Sequence, residues 1–332
     1  MATIKDIAKL ANISPTTVSR ILNRDPSLSV SSETLNRVTA IAKDLNYKTR
    51  AESRSGSMKQ TSVSIGAIQL STTDQSDIQN DFFARIRRGI EIACSNRHFD
   101  LRLCSGLSSQ LLEVDGVIVI GDDTEFRNHM ADRINNVVFV DHSPNPDRFD
   151  AVLIDYESGS HMVLNHLIDS GHETIGYIGG TGYPNDDGKP GLDPRHFTFE
   201  SRMRDFNKAN LQYVYIGPWT ATGGYECMKR AIAHGSLPSA FFVGSDRMAL
   251  GALMALEEAG YRVPEDVSVI GFDDIELAKY SRPPLTTVKT FPELMGDISV
   301  KLLLERIEGR EVSVQVKLST KFVSRKTCVD KG

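Results

Sequence analysis

Residues 14–23 read Ser14-Pro-Thr-Thr-Val-Ser-Arg-Ile-Leu-Asn23, and this stretch decides how the first part of the chain folds. The Ser14 hydroxyl can cap a helix, and Pro15 suits the first helical position because its missing N–H needs no partner there. The apolar side chains at helical spacing are Val18, Ile21 and Leu22. The other side then exposes hydroxyl groups, an amide and Arg20, a combination well suited to the DNA major groove.

One helical pattern precedes this stretch and another follows it. The apolar stripe within residues 3–11 consists of Ile4, Ile7, Ala8 and Ala11. Asn12 then tolerates the left-handed backbone that a tight turn needs. Ser31 can cap a third helix, with Val30 packing onto Leu35. The stripe of that helix consists of Leu35, Val38, Ile41, Ala42 and Leu45. These patterns predict a helix-turn-helix head of three helices, closed by Tyr47.

Residues 48–62 contain almost no apolar side chains, which predicts a linker. From Val63 onward, apolar runs alternate with amphipathic patterns, as in parallel α/β folds. We predict strands at Val63–Leu70, Leu101–Cys104, Gly116–Ile120, Val137–Asp141, Ala151–Ile154, Thr174–Gly179, Tyr213–Ile216, Ala240–Val243 and Val267–Phe272. We predict helices at Phe82–Asn96, Ser158–Ser170, His196–Ala209, Gly223–His234, Arg247–Ala259 and Pro292–Glu308. About nine strands exceed one compact sheet, so we expect two successive lobes.

One connection in this part is unusual. The segment Leu103–Asp115 is too short for a full crossover helix between parallel strands. We therefore expect a single helical turn or irregular structure there.

Charge is unevenly distributed along the 332 residues. Residues 1–60 hold ten basic and five acidic side chains, so the remaining 272 residues carry a net charge of −10. A basic head on an acidic body favours a polyanion-binding module joined to a domain with a different task. The sequence has no secretory signal and no apolar run of the roughly 20 residues that cross a membrane. We therefore expect a cytoplasmic protein that does not contact a membrane.

The sequence gives little support to an enzyme or a metalloprotein. The pairs Asp122-Asp123 and Asp273-Asp274 are vicinal acids, which point apart and do not form a glycosidase pair. Residues 176–182 lack the GxGxxG spacing of a dinucleotide site, and no HExxH motif is present. The four cysteines form no CxxC pair, which argues against a zinc site or disulfides. We expect no catalytic residues, no metal and no cofactor.

Ordered motifs run along nearly the whole chain. They include Ile4-Lys-Asp-Ile-Ala8, Ser14-x-x-Thr-Val-Ser-Arg-Ile-Leu-Asn23, Leu45-Asn-Tyr47, Gly171-His-x-x-Ile-Gly-Tyr-Ile-Gly-Gly180, Ser245-Asp-Arg-Met-Ala-Leu-Gly251, Asp266-Val-Ser-Val-Ile-Gly-Phe-Asp-Asp274 and Arg282-Pro-Pro-Leu-Thr-Thr-Val-Lys289. Together they resemble the lactose/galactose repressor (LacI/GalR) family of transcription regulators. The short Leu103–Asp115 connection, the Tyr47-Lys-Thr junction and the long Tyr183–Pro194 loop are similar to those of repressors of β-galactoside operons.

The resemblance implies an α + α/β architecture. A helix-turn-helix DNA-binding head at residues 1–47 and a hinge or linker at 48–61 precede an effector-binding and dimerisation domain at 62–332. This domain would contain two doubly wound parallel α/β lobes like those of periplasmic binding proteins. The first lobe would comprise about 62–160 and 291–319, and the second about 161–290 and 320–332. Chain crossings are then expected near residues 160, 290 and 320.

The resemblance also assigns roles in DNA binding by matching position. Base edges would be contacted by Pro15, Thr16 and Arg20, and the Arg20 fork suits guanine. Phosphates would be contacted by Thr3, Ser14, Thr17, Ser19 and Asn23. Arg50 and Arg54 would follow the groove. The family's hinge carries a leucine that wedges into the minor groove, but Gly56 stands at the nearest position here, with Met58 as a substitute in a shifted register, so operator kinking stays open.

The effector site implied by the resemblance lies between the lobes. Asp141 and Asp273 follow predicted strands, and their carboxylates can accept from adjacent sugar hydroxyls. Arg195 can donate to sugar oxygens, Trp219 can stack on a sugar ring, and Ser245 or Asp246 completes the polar set. Phe82 or Phe83 would add an apolar surface, with the other in the core. Asp274 is equally a helix cap or a ligand, and Asp246 is also a candidate cap for the helix Arg247–Ala259.

Two functions from different classes remain. The first is a homodimeric repressor that binds double-stranded operator DNA and is released by a small sugar, a galactoside or galactose. The second is a sugar-binding protein for a transporter, which the basic head and the missing secretory signal disfavour. Within the first class, a co-repressor-dependent or purine-sensing regulator stays open. Residues 320–332 show no leucine heptad, so a coiled-coil tetramer is not expected.

Overall fold

The computed structural model describes residues 4–22, 30–45, 63–70, 81–104, 106–121, 124–184, 189–205 and 211–329. The chain forms two compact units, residues 1–62 and 63–332. Among the described residues, no helix is both long and apolar enough to cross a membrane.

The first unit contains three helices around a small apolar core. They are α1 (Ile4–Ala11), α2 (Pro15–Leu22) and α3 (Ser32–Asp44). Asn12 has a φ of 53°, so the turn between α1 and α2 has the expected left-handed backbone. The buried core consists of Ile7, Ala8, Ala11, Val18, Ile21, Val38 and Ala42. Leu35 departs from the predicted stripe because it is 46% exposed at the start of α3. The helix-turn-helix head is confirmed.

The second unit contains two parallel sheets. One has six strands, in the order β13-β5-β4-β3-β1-β2, and the other has four, in the order β11-β10-β6-β9. The first sheet comprises β1 (Ser64–Leu70), β2 (Asp100–Cys104), β3 (Gly116–Gly121), β4 (Val137–Val140), β5 (Asp150–Ile154) and β13 (Gln315–Leu318). The second comprises β6 (Ile175–Gly179), β9 (Val214–Ile216), β10 (Ala240–Val243) and β11 (Ser268–Ile270). Every pairing within the two sheets is parallel, as the buried apolar runs predict.

Helices cover these sheets. They are α4 (Asp81–Arg97), α5 (Thr124–His129), α6 (Tyr156–Asp169), α7 (Pro194–Asp205), α8 (Ala221–Ala233), α9 (Asp246–Glu258) and α10 (Pro292–Ile307). Short 3₁₀ helices occur at Ser109–Leu112, Leu211–Tyr213 and Glu276–Lys279. The first of these lies in the short connection between β2 and β3, where a single turn was one of the two expectations.

Several short elements escape sequence prediction. A hairpin joins β7 (Gly182–Pro184) to β8 (Pro190–Gly191), and β12 (Thr287–Lys289) pairs antiparallel with β14 (Lys321–Val323). The strand β13 pairs with β5, although it lies more than 150 residues later. The chain therefore leaves the six-stranded sheet after β5 and returns to it through α10 and β13. The exact lobe limits stay a prediction.

The topology places strand ends together. Loops that carry polar and aromatic residues follow the carboxyl ends of β4, β5, β6, β9, β10 and β11. In parallel sheets of this kind, ligands bind outside these carboxyl ends.

Candidate functional site

A cavity of about 700 Å³ lies among the strand-end loops of the second unit. Residues that follow strands of both sheets line it, including Asp141, Tyr156, Tyr183, Arg195, Trp219 and Asp273. A volume of this size is typical of small-molecule sites. Predicted effector residues from six separate parts of the sequence therefore meet around one space, namely Phe82, Asp141, Arg195, Trp219, Ser245 and Asp273.

Asp141 directly follows β4 and has a φ of 74°, in the left-handed region of backbone conformation. The hydroxyl of Tyr156 donates to its Oδ1 at 2.7 Å, and the hydroxyl of Tyr183 donates to its Oδ2 at 2.7 Å. Burial raises the pKa of Asp141, while these two hydrogen bonds and the Arg195 charge act in the opposite direction. Each carboxyl oxygen keeps a second lone pair that can accept from a ligand.

Arg195 is held rigidly at the start of α7. Its Nε donates to Oδ1 of Asp193 at 2.8 Å and its Nη2 to Oδ2 at 2.7 Å, while Nη1 donates to the Gly244 carbonyl at 2.8 Å. Burial acts to lower the pKa of Arg195, but the charge and hydrogen bonds of Asp193 outweigh it and hold the pKa well above its ordinary value. The guanidinium also has one N–H on each Nη that these bonds do not use. It is thus a fixed cation that can still donate to a ligand.

Sequence reasoning missed Asp193, although a local signal was present. Asp193 precedes Pro194 at the start of α7, and its Oδ1 accepts from the backbone N–H of Arg195 at 2.9 Å. An acid followed by proline is a helix-start pattern. The pattern indicates the cap, but the ion pair with Arg195 requires the folded side-chain geometry.

Asp273 presents open acceptor atoms to the cavity. Its backbone has a φ of 113°, which is strained for a residue other than glycine. Burial raises the pKa of Asp273 to about 7, with Arg195 opposing the rise and Asp141 adding to it. No hydrogen bond to its carboxyl group occurs among the described residues. Its neighbour Asp274 instead pairs with Arg325, and with Lys289 at 3.8 Å.

Trp219 has a different environment from the one expected for a sugar-stacking ring. The Arg195 guanidinium lies 4.4 Å from its ring centre and 4.4 Å from that of Tyr156. The indole Nε1 donates to the Thr181 carbonyl at 2.9 Å. Trp219 lines the cavity, but part of its ring surface is used to hold Arg195.

The structure separates the candidates Ser245 and Asp246. Ser245 lines the cavity, and its hydroxyl accepts from the Met248 N–H at 3.3 Å as the cap of α9. Asp246 is fully buried, and its oxygens accept from the Thr287 hydroxyl at 2.5 Å and the Ile275 N–H at 2.9 Å. It does not line the cavity. The prediction that Asp246 caps this helix is therefore wrong, because Ser245 is the cap, and the burial of Asp246 away from the cavity does not support the prediction of an effector ligand.

Phe82 and Phe83 both line the cavity, with ring centres 5.3 Å apart in an edge-to-face arrangement. The expectation that only one of them faces the cleft is wrong. They occupy consecutive positions in the first turn of α4.

The head presents α2 as its candidate DNA-reading element. Ser14 accepts from the Thr17 N–H at 3.1 Å, and the two hydroxyls lie 2.8 Å apart, so the predicted cap is formed. Pro15 and Thr16 are exposed, and Ser19 and Arg20 are partly exposed. Thr3, Asn23, Arg50, Arg54, Gly56 and Met58 lie outside the described residues.

Comparison with known proteins covers both units. Residues 3–50 match the family model of bacterial regulatory proteins of the lacI family, and residues 164–328 match the periplasmic binding protein-like domain. The HTH-type transcriptional repressor MelR of Bacillus subtilis (strain 168) is 41% identical over 338 residues, which cover 99% of this chain and 98% of that protein. The chain belongs to the LacI/GalR family.

Solved structures agree with this LacI/GalR assignment. The lac repressor dimer bound to operator and the anti-inducer ONPF is 28% identical, with a TM-score of 0.69 and 99% of each chain covered. The complex of the transcriptional regulator CelR with cellobiose is also 28% identical with a TM-score of 0.69, covering 98% of this chain and 100% of that one. The predicted fold, a helix-turn-helix head with parallel α/β lobes of the periplasmic-binding-protein type, is confirmed. This LacI/GalR regulator is a DNA-binding transcription repressor with a periplasmic binding protein-like domain.

Proposed function

We propose that this LacI/GalR regulator represses a sugar-utilisation operon and leaves its operator when a small neutral sugar occupies the cavity. The observation that carries the proposal is the meeting of Asp141, Asp273 and Arg195 beside aromatic rings in a space of about 700 Å³. Adjacent sugar hydroxyls donate well to carboxylates, and the apolar faces of sugar rings pack on aromatic side chains. Phe82, Trp219 and Ser245 complete the proposed effector site.

Charge favours a neutral sugar over a phosphorylated one. The charged residues that line the described cavity are the acids Asp81, Asp141, Glu157, Asp193 and Asp273, and the bases Arg195, Arg247 and Lys317. An anionic ligand would meet this excess of acidic groups and the low effective dielectric of a cavity. The resemblance of the Tyr183–Pro194 region to repressors of β-galactoside operons makes a galactoside or galactose the first candidate.

The DNA-binding part of the proposal rests on the head. A homodimer would present two α2 helices to the half-sites of a pseudo-palindromic operator in the cytoplasm. In each half-site, Arg20 would contact a guanine edge beside Pro15 and Thr16. Ser14, Thr17 and Ser19, with Thr3, Asn23, Arg50 and Arg54, would contact the DNA backbone or groove. No catalytic step is part of this function.

The proposed mechanism is thermodynamic linkage between the sugar site and the heads. A sugar weakens operator binding only to the extent that it binds the released state more tightly than the DNA-bound state. The cavity suits this role because residues from two sheets form it, so its occupant senses their separation.

A two-part experiment tests the proposal. The fluorescence of Trp219, the one tryptophan in the sequence, is titrated with galactose, α- and β-galactosides, glucose and glucose 6-phosphate. The same ligands, with purine bases added to the panel, are then tested on complexes with DNA from upstream of the regulated genes. We expect a neutral galactoside to give saturable fluorescence and DNA release, and the phosphate to give neither. A purine that strengthens DNA binding would favour the co-repressor alternative, and an absence of DNA binding at low salt would contradict the repressor proposal.

A further inference from the structure

The hairpin β7–β8 reaches across the cavity to a residue of the other sheet. Tyr183 lies in β7, after strand β6 of the four-stranded sheet, whereas Asp141 follows β4 of the six-stranded sheet. The 2.7 Å hydrogen bond between them therefore joins the two sides of the cavity. The ring of Tyr183 also packs on His142, with ring centres 4.9 Å apart.

Tyr156 makes a similar hydrogen bond from the same side as Asp141. It follows β5, which pairs directly with β4, and it donates to the other oxygen of the carboxyl group at 2.7 Å. The two tyrosines thus offer a matched pair. Both donate to Asp141 over the same distance, but only the Tyr183 hydrogen bond joins residues that follow strands of different sheets, although the Tyr156 ring also packs on Arg195 and Phe272.

The chemistry of this group suits a positioning role. Burial, and after it the charge of Asp141, holds the pKa of Tyr183 well above its ordinary value, so the phenol stays protonated and donates. A donor on each oxygen fixes the plane of the carboxyl group and supports its charge. The remaining lone pairs then point in directions set by the two tyrosines.

We propose that Tyr183 positions Asp141 for the sugar from across the cavity, so that the sugar-binding geometry of Asp141 depends on how the two sheets are placed. This inference rests on the proposed sugar site. It adds the hydrogen bond through which the hairpin influences that site. Tyr156 fixes the same carboxylate through a hydrogen bond whose two residues follow paired strands of the six-stranded sheet. Loss of either hydroxyl weakens sugar binding, but only loss of the Tyr183 hydroxyl weakens the effect of sugar on operator binding.

The hairpin is itself well anchored on its own side. The Trp219 indole donates to the Thr181 carbonyl immediately before it, and Gly182 pairs with Gly191 between its strands. A side chain at position 182 would clash with the backbone of Leu192, at 2.9 Å from its carbonyl group. These contacts hold the hairpin on the four-stranded side, and the hydrogen bond from Tyr183 to Asp141 holds it on the other side.

The test uses full-length wild-type protein, Tyr183→Phe, its matched control Tyr156→Phe, Asp141→Asn and the double variant of Asp141→Asn with Tyr183→Phe. We expect Tyr183→Phe to weaken binding of the best galactoside about tenfold, as loss of a charge-assisted hydrogen bond does. In the Asp141→Asn background the same change should have an effect of about twofold or less, because the partner is already altered. An equal effect in both backgrounds would show that Tyr183 acts independently of Asp141 and would overturn the proposal.

Operator binding supplies the second readout. With saturating galactoside, the factor by which sugar weakens operator binding should fall in Tyr183→Phe and stay at the wild-type value in Tyr156→Phe. Equal factors in both variants would overturn the cross-cavity role.

Hydrogen–deuterium exchange without any ligand tests this proposal independently of the proposed sugar binding. Amides at 181–183 and 191–192 should exchange several-fold faster in Tyr183→Phe than in wild type or Tyr156→Phe. If wild-type protein bound no sugar while this difference appeared, the sugar function would fail and the cross-cavity link would stand. Unchanged exchange in Tyr183→Phe would show that the hydrogen bond to Asp141 does not hold the hairpin, and it would overturn the proposal.

Discussion

Asp150 and Asp273 are both acids beside strands of parallel sheets, yet the protein uses them in opposite ways. Asp150 begins β5 at the amino edge of its sheet and is fully buried. It accepts from Nη1 and Nη2 of Arg310 at 3.1 and 2.5 Å, from Nε of Arg306 at 3.3 Å and from the Val314 N–H at 2.8 Å. Asp273 follows β11 at the carboxyl edge, and its carboxyl group has no hydrogen bond among the described residues.

The difference shows that residue type alone does not decide how the protein uses an acid beside a strand. At the amino edge, Asp150 fixes the segment that leads from α10 into β13, so its acceptor capacity is filled by the protein. At the carboxyl edge, where ligands bind in such sheets, Asp273 keeps its acceptors open. A buried acid is a candidate ligand group when its lone pairs are unused, and a structural group when they are filled.

The most direct test of this comparison is to remove the structural acid, Asp150. Asp150→Ala should leave Arg306 and Arg310 without their shared partner and lower the free energy of unfolding by about 3–5 kcal/mol, as for other broken buried ion pairs. Chemical denaturation measures the loss, with Asp147→Ala at an exposed loop position as the control. Sugar affinity of the folded fraction should be unchanged. A stable variant with lost sugar binding would reverse the roles assigned here.

Asp193 is an intermediate case, because it lines the cavity but both of its carboxyl oxygens accept hydrogen bonds from Arg195. Asp193→Asn keeps the shape but removes the charge that faces Arg195, and the free energy of unfolding should fall by about 1–3 kcal/mol. Sugar binding should weaken as well, because Arg195 loses its fixed position. Thermal unfolding and Trp219 fluorescence measure the two effects on the same samples. Wild-type sugar affinity in this variant would mean that Arg195 does not contact the ligand.

The open acid should show the reverse pattern. Asp273→Asn should weaken sugar binding about 10- to 100-fold, the range expected for a hydrogen bond to a charged group of about 1.5–3 kcal/mol. Stability should not decrease, because the change removes a buried charge without a hydrogen-bonded partner. Calorimetric titration gives the affinity, and Asp274→Asn serves as the neighbouring control. A larger loss of sugar affinity in Asp274→Asn than in Asp273→Asn would show that Asp274, and not Asp273, contacts the ligand.

Sequence reasoning could predict the strands and helices that make the core. Strands such as Ala240–Val243 are short, apolar and fully buried, so composition alone marks them. The strand Gln315–Leu318 alternates polar and apolar residues over only four positions, and Lys321–Val323 has only three residues, so both give too little signal. The helix Thr124–His129 is equally short and mostly polar.

The candidate site divides in the same way. Asp141, Arg195 and Asp273 could be predicted because each follows a recognisable strand or opens a helix. Tyr156 and Tyr183 could not, since their roles arise from hydrogen bonds to a residue 15 or 42 positions away. Asp246 was assigned to the ligand for the opposite reason. Its sequence position resembles that of a strand-end ligand, and only folding shows that it is fully buried away from the cavity, where it accepts from Thr287 and Ile275.

The smallest expected effect concerns pH, and it distinguishes the open acid from the filled one without a large structural change. Because burial raises the pKa of folded Asp273 to about 7, the folded protein binds more protons at this group than the unfolded chain does between about pH 4 and pH 7. The contribution of Asp273 to stability should therefore fall as pH rises through this window, and Asp273→Asn should lack that contribution.

Sugar binding should depend on pH in the opposite direction. The ionised carboxylate is the better acceptor for sugar hydroxyls, so galactoside affinity should rise several-fold between pH 6 and pH 8. The rise should disappear in Asp273→Asn, and calorimetric titrations at both pH values measure it. The same rise in Asp273→Asn would place the titrating group elsewhere. Asp141 would then be the next candidate, because its two tyrosine donors support a charge that burial opposes.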